Sequence, residues 1–112
     1  MRCIVSLWMK SEALKGHLDG LILATLEEGP AHGYAVAQRL RARSGGAFDL
    51  PEGTLYPALH RLERAGLIAG DWSTQAGRRR RTYSLTRSGQ RGLRERRGEW
   101  RQFATAVEAV MA

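Results

Sequence analysis

Apolar positions recur along this chain with two different periods, and the change from one to the other falls at Gly66. Before it the spacing is helical. Leu55, Leu59 and Leu62 stand at i, i+4 and i+7, one stripe of a 3.6-residue repeat. Thr54, Ala58 and Arg61 repeat that spacing on another side. The second face is small, hydroxylic and basic, suited to the floor of a groove. Pro51 suits the first helical position, where a missing N–H costs nothing. Glu52 puts negative charge where the helix dipole favours it. Gly66 suits the left-handed cap that stops the helix. Pro57 is awkward: a mid-helix proline costs roughly 3 kcal/mol, and its ring presses on the carbonyl of Gly53. That is tolerable only in the first turns or with a kink. On this pattern alone a groove-reading helix and an ordinary amphipathic surface helix fit equally well.

Two further helices are predicted upstream. The first runs from Ser11 or Glu12 to about Glu28, with Leu14, Leu18, Leu21, Ile22 and Thr25 on one face and Leu23 and Leu26 elsewhere. A helix apolar nearly all round is central to the core or shared with a second subunit. Gly29-Pro30 ends it. The next runs from His32 or Gly33 to Arg43, with Tyr34, Ala37 and Leu40 facing inward and Gln38, Arg39 and Arg41 outward. Ser44-Gly45-Gly46 reads as a flexible break before the helix from Pro51. Three short helices with tight connections make a helix-turn-helix topology.

Beyond Gly66 the period becomes two. Leu67, Ile68 and Trp72 fall in one strand, and Thr82 to Leu85 form another with Tyr83 and Leu85 inward. The stretch from Ser73 to Arg81 between them reads as a hairpin whose tip carries a glycine and four arginines. Thr86 caps a last helix, weakened by Gly89 and Gly92. Leu93, Trp100 and Val107 are seven apart, with Phe103 and Val110 as a second row, about two heptads of a seam that wants a partner. The expected fold is mainly α with a small β-hairpin: a winged helix-turn-helix over residues 11–86 and a C-terminal dimerisation helix over 87–112. Residues 1–10 read as an extension, either a helix packed on the dimer or an over-extended start with Met9-Lys10 the beginning. The second is preferred.

Charge changes the picture from fold to partner. The 112 residues suffice for one core, and the net charge of +7 favours a polyanion. Sixteen of the 18 basic residues are arginine, whose fork matches phosphate and guanine edges. Ten of them lie between Arg78 and Arg101, against two acids, Glu95 and Glu99, so the charge is clustered rather than compositional. The single cysteine, Cys3, excludes a disulfide within one chain and fits a reducing cytoplasm. No apolar run approaches the ~18 residues of a membrane span, and the Ile4–Met9 run is too short for a signal peptide. His17, His32 and His60 lie on separate elements without metal-ligand spacing, and no phosphate-binding glycine loop occurs. No catalytic residue, metal ligand or cofactor is therefore assigned.

The strings GPAHGYAVAQRL, LPEGTLYPALHRLERAGLI and GRRRRTYSLTRSGQ, in that order, resemble the PadR family of bacterial transcriptional regulators, over about Leu14 to Arg91. The short C-terminal part is similar to the compact subfamily with one dimerising helix. The resemblance implies a homodimeric winged-helix repressor that binds a palindromic operator in double-stranded DNA and releases it when a small molecule binds. It carries DNA contact to Tyr34, Thr54, Tyr56 and Arg61, and to the wing residues Arg78, Arg79, Arg80 and Arg81. Tyr34 is expected near the DNA backbone or bracing the third helix. Leu14, Leu18, Leu93, Trp100, Phe103, Val107 and Val110 are assigned to the dimer interface, and Trp100 is the candidate contact for a small aromatic effector.

Phosphate contacts would supply most of the affinity and base-edge contacts the specificity. Arg79 and Arg80 are expected at phosphates or the minor groove, and Thr54 and Arg61 near the major groove. Arg39 and Arg41 fit backbone contacts, or plain solvated surface. The rival reading is a winged-helix module for protein–protein contact or for non-specific nucleic-acid binding.

Overall fold

A leucine-rich stretch that is apolar on most sides has to be covered on most sides, and the first helix is. The computed structural model describes residues 12–112, with side chains from Gly16 onward. Residues 1–10 and the side chain of Leu14 lie outside the described residues. Helix α1 spans Glu12–Leu26 and buries Leu18, Ile22, Leu23 and Leu26. Thr25 is buried beside them, its hydroxyl donating to the carbonyl of Ile22 at 2.7 Å. A two-residue strand β1 (Ala31–His32) leads into α2 (Gly33–Arg43), and α3 follows (Glu52–Arg64). Strands β2 (Ile68–Gln75) and β3 (Arg78–Leu85) form the hairpin, and α4 (Arg87–Met111) ends the chain. The fold is mostly helical with a small antiparallel sheet, as the periodicity predicts, but the sheet has three strands in the order β1–β3–β2. Strand β1, pairing Ala31 with Tyr83 and His32 with Thr82, is absent from the sequence reading, because two residues are too few to show a period.

Helix α3 buries Leu55, Ala58, Leu59 and Leu62. Ala58 was placed on the open face by its spacing from Thr54; with a 3.6-residue turn it stands at the border of the leucine stripe, and its small side chain lets the core close over it. Pro51 is the N-cap rather than the first helical residue, its carbonyl accepting from Thr54 and Leu55 at 3.0 Å. Pro57 sits in the second turn of α3. The helix ends in a Schellman motif, Gly66 N–H to the Glu63 carbonyl and Leu67 N–H to the Leu62 carbonyl, both 3.0 Å, with Gly66 at φ +78°. A second such motif closes α2: Gly45 donates to Ala42 and Gly46 to Arg41. The Ser44-Gly45-Gly46 segment is thus a defined cap rather than a loose break, and the Ser44 hydroxyl accepts from the Phe48 amide.

Helix α4 begins on the core and then leaves it. The Thr86 hydroxyl accepts from the Gly89 amide and donates to the Gly66 carbonyl at 2.6 Å. Gly89 lies so close to Leu67 that a β-carbon there would come within 2.0 Å of the Leu67 carbonyl oxygen. Gly89 weakens α4 as a helix but lets it dock on Leu67, so the start of α4 packs on the winged-helix core. Leu93 is 3% exposed and Leu18 5%. Both were assigned to a dimer interface; both are spent on the chain's own core and keep no surface for a partner. After Leu93 no residue of α4 is buried. Arg97 holds α4 to α1 through two bonds to Glu27, at 2.8 and 2.6 Å. The Arg97 guanidinium beside Glu27 holds that carboxyl below its ordinary range.

Candidate nucleic-acid interface

An open groove of about 740 Å³ lies where α2, α3 and the β2–β3 hairpin meet. Its walls are His32, Gly33 and Tyr34 from the start of α2, Tyr56 and His60 from α3, and Trp72, Tyr83 and Arg78 to Arg81 from the hairpin. Aromatic rings and guanidinium groups thus line a basic concave face.

Tyr34 is 64% exposed, not inward as its spacing suggested. Helix α2 starts at Gly33, and its inward row is Gly33, Val36 and Leu40. The Tyr34 ring stacks on His32, centroids 6.4 Å apart. Tyr56 leans its ring on Gly33, where a β-carbon would come within 2.7 Å of Cε1. Gly33 therefore sets how closely the N-terminus of α2 approaches α3. Thr54 is exposed on the first turn of α3. Arg61 departs from expectation. Its guanidinium is bonded to Asp19 of α1 at 2.5 Å, which turns it away from the groove face it was assigned to. Arg39 is likewise turned inward, donating to the carbonyls of Thr25 and Gly29 at 3.0 and 2.9 Å. It satisfies the C-terminal carbonyls of α1 instead of facing solvent.

The four wing arginines are in strand β3, not at a loop tip. The hairpin pairs Gln75 with Arg78, leaving only Ala76-Gly77 as the turn, with φ of +51° and +76°. Positive φ at both central residues is the type I′ geometry of a two-residue hairpin. Ladder hydrogen bonds come from the backbone and are indifferent to side-chain charge, so an arginine run continues the strand. Arg78 and Arg79 are exposed, Arg79 lying 4.7 Å over the Trp72 ring. Arg80 and Arg81, expected at DNA, already have protein partners. Arg80 Nη1 is 2.8 Å from His32 Nε2. Arg81 is bonded to Glu63 of α3, with its guanidinium 5.4 Å from the Trp72 ring.

His32 is asked to accept twice. Its Nδ1 caps α2 by accepting from the Ala35 amide at 3.3 Å, while Nε2 faces Arg80. A neutral imidazole has one bare nitrogen, so the two bonds compete. Burial, and then the charges of Arg80 and Arg39, push the His32 pKa below its ordinary value. The sequence reading left His32, His60 and Trp72 out of the site. Trp72 is expected only as a member of the first hairpin strand; it is 58% exposed and lines the groove. The only signal for it was its place immediately before the Ser73–Arg81 hairpin segment.

Among the described residues no cluster of three or more histidines, cysteines or carboxylates could hold a metal ion, and no helix is long and apolar enough to cross a membrane.

Residues 22–95 match the model of the PadR-like transcriptional regulator family. The chain is 37% identical over 86 residues to the transcriptional regulator Rv3488 of Mycobacterium tuberculosis, covering 77% of this chain and 78% of that one. Among solved structures it is similar to a transcriptional regulator from Clostridium thermocellum, with TM-score 0.82 and 28% identity over 88% of this chain and 97% of that one. A PadR family regulator from Eggerthella lenta aligns with TM-score 0.76 and 33% identity, covering 89% and 86%. These relatives are regulators and not enzymes, and the winged helix with its basic groove is the part of the chain the family model spans. The chain belongs to the PadR-like family of transcriptional regulators.

Proposed function

We propose that the protein is a homodimeric repressor that covers a palindromic operator and is released from it by a small-molecule effector. The groove between α2, α3 and the wing supports the DNA contact. Tyr34, Tyr56, Arg78 and Arg79 are exposed along one concave basic face, and Thr54 is exposed on the first turn of α3. Arg78 and Arg79 are the wing contacts to phosphate, and Thr54 with Tyr56 is the part of α3 that approaches the groove floor. Arg80 and Arg81 hold the wing first and reach DNA only by giving up His32 and Glu63.

The dimer rests on α4. Trp100, Phe103 and Val110 are 50%, 57% and 85% exposed, and with the half-buried Val107 they make an apolar stripe that the described residues leave largely open. The same stripe of a second copy is the simplest cover. Two copies would set their α3 helices about one DNA turn, ~34 Å, apart. Trp100 packs edge-on against His17 at 5.0 Å and against Phe103 at 6.1 Å. An aromatic effector wedged beside that ring between two copies would change the spacing of the two α3 helices.

The test is competition on DNA taken from upstream of the protein's own gene. An operator reader keeps its site against roughly 10³-fold excess of unrelated DNA. Equal loss to any duplex would favour the rival reading of non-specific nucleic-acid binding, and no binding at all would favour a protein–protein module.

A further inference from the structure

Two neighbouring arginines of β3 point to opposite faces of the sheet, as the period of a strand requires. Each is tied to a different helix of the helix-turn-helix: Arg80 to His32 at the start of α2, Arg81 to Glu63 near the end of α3. The second tie is built into its surroundings. Arg81 and Glu63 are each 27% exposed, so this is the most sheltered ion pair among the described residues; the other pairs have at least one partner at 47% or more. Gly70 of β2 lies under the guanidinium, and a β-carbon there would come within 2.7 Å of Arg81 Nε. The Trp72 ring closes one side. A missing side chain, an aromatic wall and a carboxylate together route Arg81 across β2 to α3.

We infer that Glu63 and Arg81 are positioning residues that brace the wing against α3, so that Arg79 on the wing and Thr54 on α3 meet the same DNA duplex. This rests on the DNA-binding reading above. Apart from the short β1 ladder and the Arg80–His32 bond at its base, the hairpin has little else to fix its angle. From Asp71 to Arg79 it buries no side chain, and its outer half has only its own ladder. A two-stranded ribbon alone twists and bends freely. Without the brace, a wing phosphate contact is entropically dearer even though the contact residue is untouched.

Two measurements on the full chain separate the brace from its use. The first needs no DNA. In Glu63→Gln, the backbone amides of residues 72–81 should exchange about threefold or more faster, the scale of one partly sheltered pair, while α1 amides keep their rates. Arg81→Gln, which leaves Glu63 in place, should do the same. Unchanged wing exchange in both variants overturns the brace. The second is a double-mutant cycle on the operator. Arg79→Ala should weaken binding by about tenfold in the wild-type background and by less than about threefold with Glu63→Gln. An equal loss in both backgrounds overturns the positioning role. So does tighter binding by Glu63→Gln with a steeper salt dependence, because that would mean Glu63 withholds Arg81 from a phosphate. If no form of the protein prefers any duplex, the DNA reading fails by itself, and the exchange rates still decide the brace.

Discussion

The ring of Tyr56 rests on the α-carbon of Gly33, leaving no room for a side chain: a β-carbon there would lie 2.7 Å from Cε1 and 2.9 Å from both Cζ and the hydroxyl oxygen. Gly33→Ala must therefore push Tyr56 out of the groove wall or separate α2 from α3. The expected loss is about 1–3 kcal/mol, the range for overpacking, seen as a fall of roughly 4–8 °C in Tm per kcal/mol. In a Tyr56→Ala background most of that loss should vanish, because the obstructing ring is gone. A full loss in both backgrounds, measured by denaturant titration, would show that Gly33 matters for its backbone and not for the ring.

The wing turn carries strain that one substitution relieves. Ala76 is the only non-glycine residue with positive φ among those described. An alanine in the left-handed region costs roughly 1–2 kcal/mol, and asparagine before glycine is the preferred type I′ pair. Ala76→Asn should stabilise the hairpin by about 1 kcal/mol, detectable as slower amide exchange along Gln75 to Arg80. A valine at the same position should do the opposite. If Ala76→Asn leaves exchange unchanged, the turn is not in the type I′ geometry in solution.

The two glycines at the start of α4 should behave in opposite ways. At Gly89 an added β-carbon meets the Leu67 carbonyl oxygen at 2.0 Å, backbone that cannot step aside without moving α4 or the end of α3. At Gly92 it meets the tip of Arg96 at 2.9 Å and a Leu67 methyl at 3.5 Å, and the arginine can swing away. Gly89→Ala should cost about 1–3 kcal/mol or more. Gly92→Ala should be neutral or stabilise by up to roughly 1 kcal/mol, as alanine is the better helix former. Thermal unfolding of the two single variants settles it, and equal losses would mean that helix docking does not depend on Gly89.

What the sequence made legible follows from how local each cause is. The Leu55–Leu59–Leu62 stripe, the Gly66 stop, the Thr86 cap and the inward Tyr83 are set within one or two helical turns or strand repeats, and the structure has them. The partners of Arg39, Arg61, Arg80 and Arg81 are 9 to 48 residues away, and a charge alone does not say whether it meets a phosphate or a carbonyl of the same chain. The wing was legible as a basic hairpin but not as a strand-borne one. Tyr34 faces out because, counted back from Leu40, the buried row runs through Val36 and Gly33 at i−4 and i−7, not through Ala37 and Tyr34 at i−3 and i−6.

The competing bonds of His32 predict a pH effect. The imidazole is held below its ordinary value of about 6.5 by burial and by Arg80 and Arg39. The unfolded chain therefore takes up the proton first as pH falls. Stability from this group is fully present above pH ~6.5 and is lost as the pH drops from there towards the lowered folded value. The imidazolium could accept from neither the Ala35 amide nor Arg80. Stability curves from pH 7.5 to pH 5 should show a decline that His32→Gln flattens. If the variant declines in parallel with the wild type, His32 is not the group responsible; Glu27, held low by Arg97, should contribute only further down, as pH falls through the carboxylate range.

Phe103 offers the cleanest test of the α4 stripe. It is 57% exposed and lies three residues beyond Trp100, whose own ring is committed to His17. Substituting Trp100 would disturb the α1–α4 contact as well as any partner, whereas Phe103→Glu leaves the winged domain untouched. Its effect on unfolding of the isolated chain should stay within about 0.5 kcal/mol, as for a surface site. A carboxylate facing its own copy across a dry seam is costly twice over, by desolvation and by like-charge repulsion. Sedimentation should therefore show a monomer. With one recognition helix instead of two, operator affinity should fall by roughly 10²- to 10⁴-fold, since the second half-site no longer binds as part of the same particle. Binding to a single half-site should be unchanged. A variant that sediments as a dimer and keeps full operator affinity would place the seam on another face, and would take Trp100 with it as the candidate effector contact.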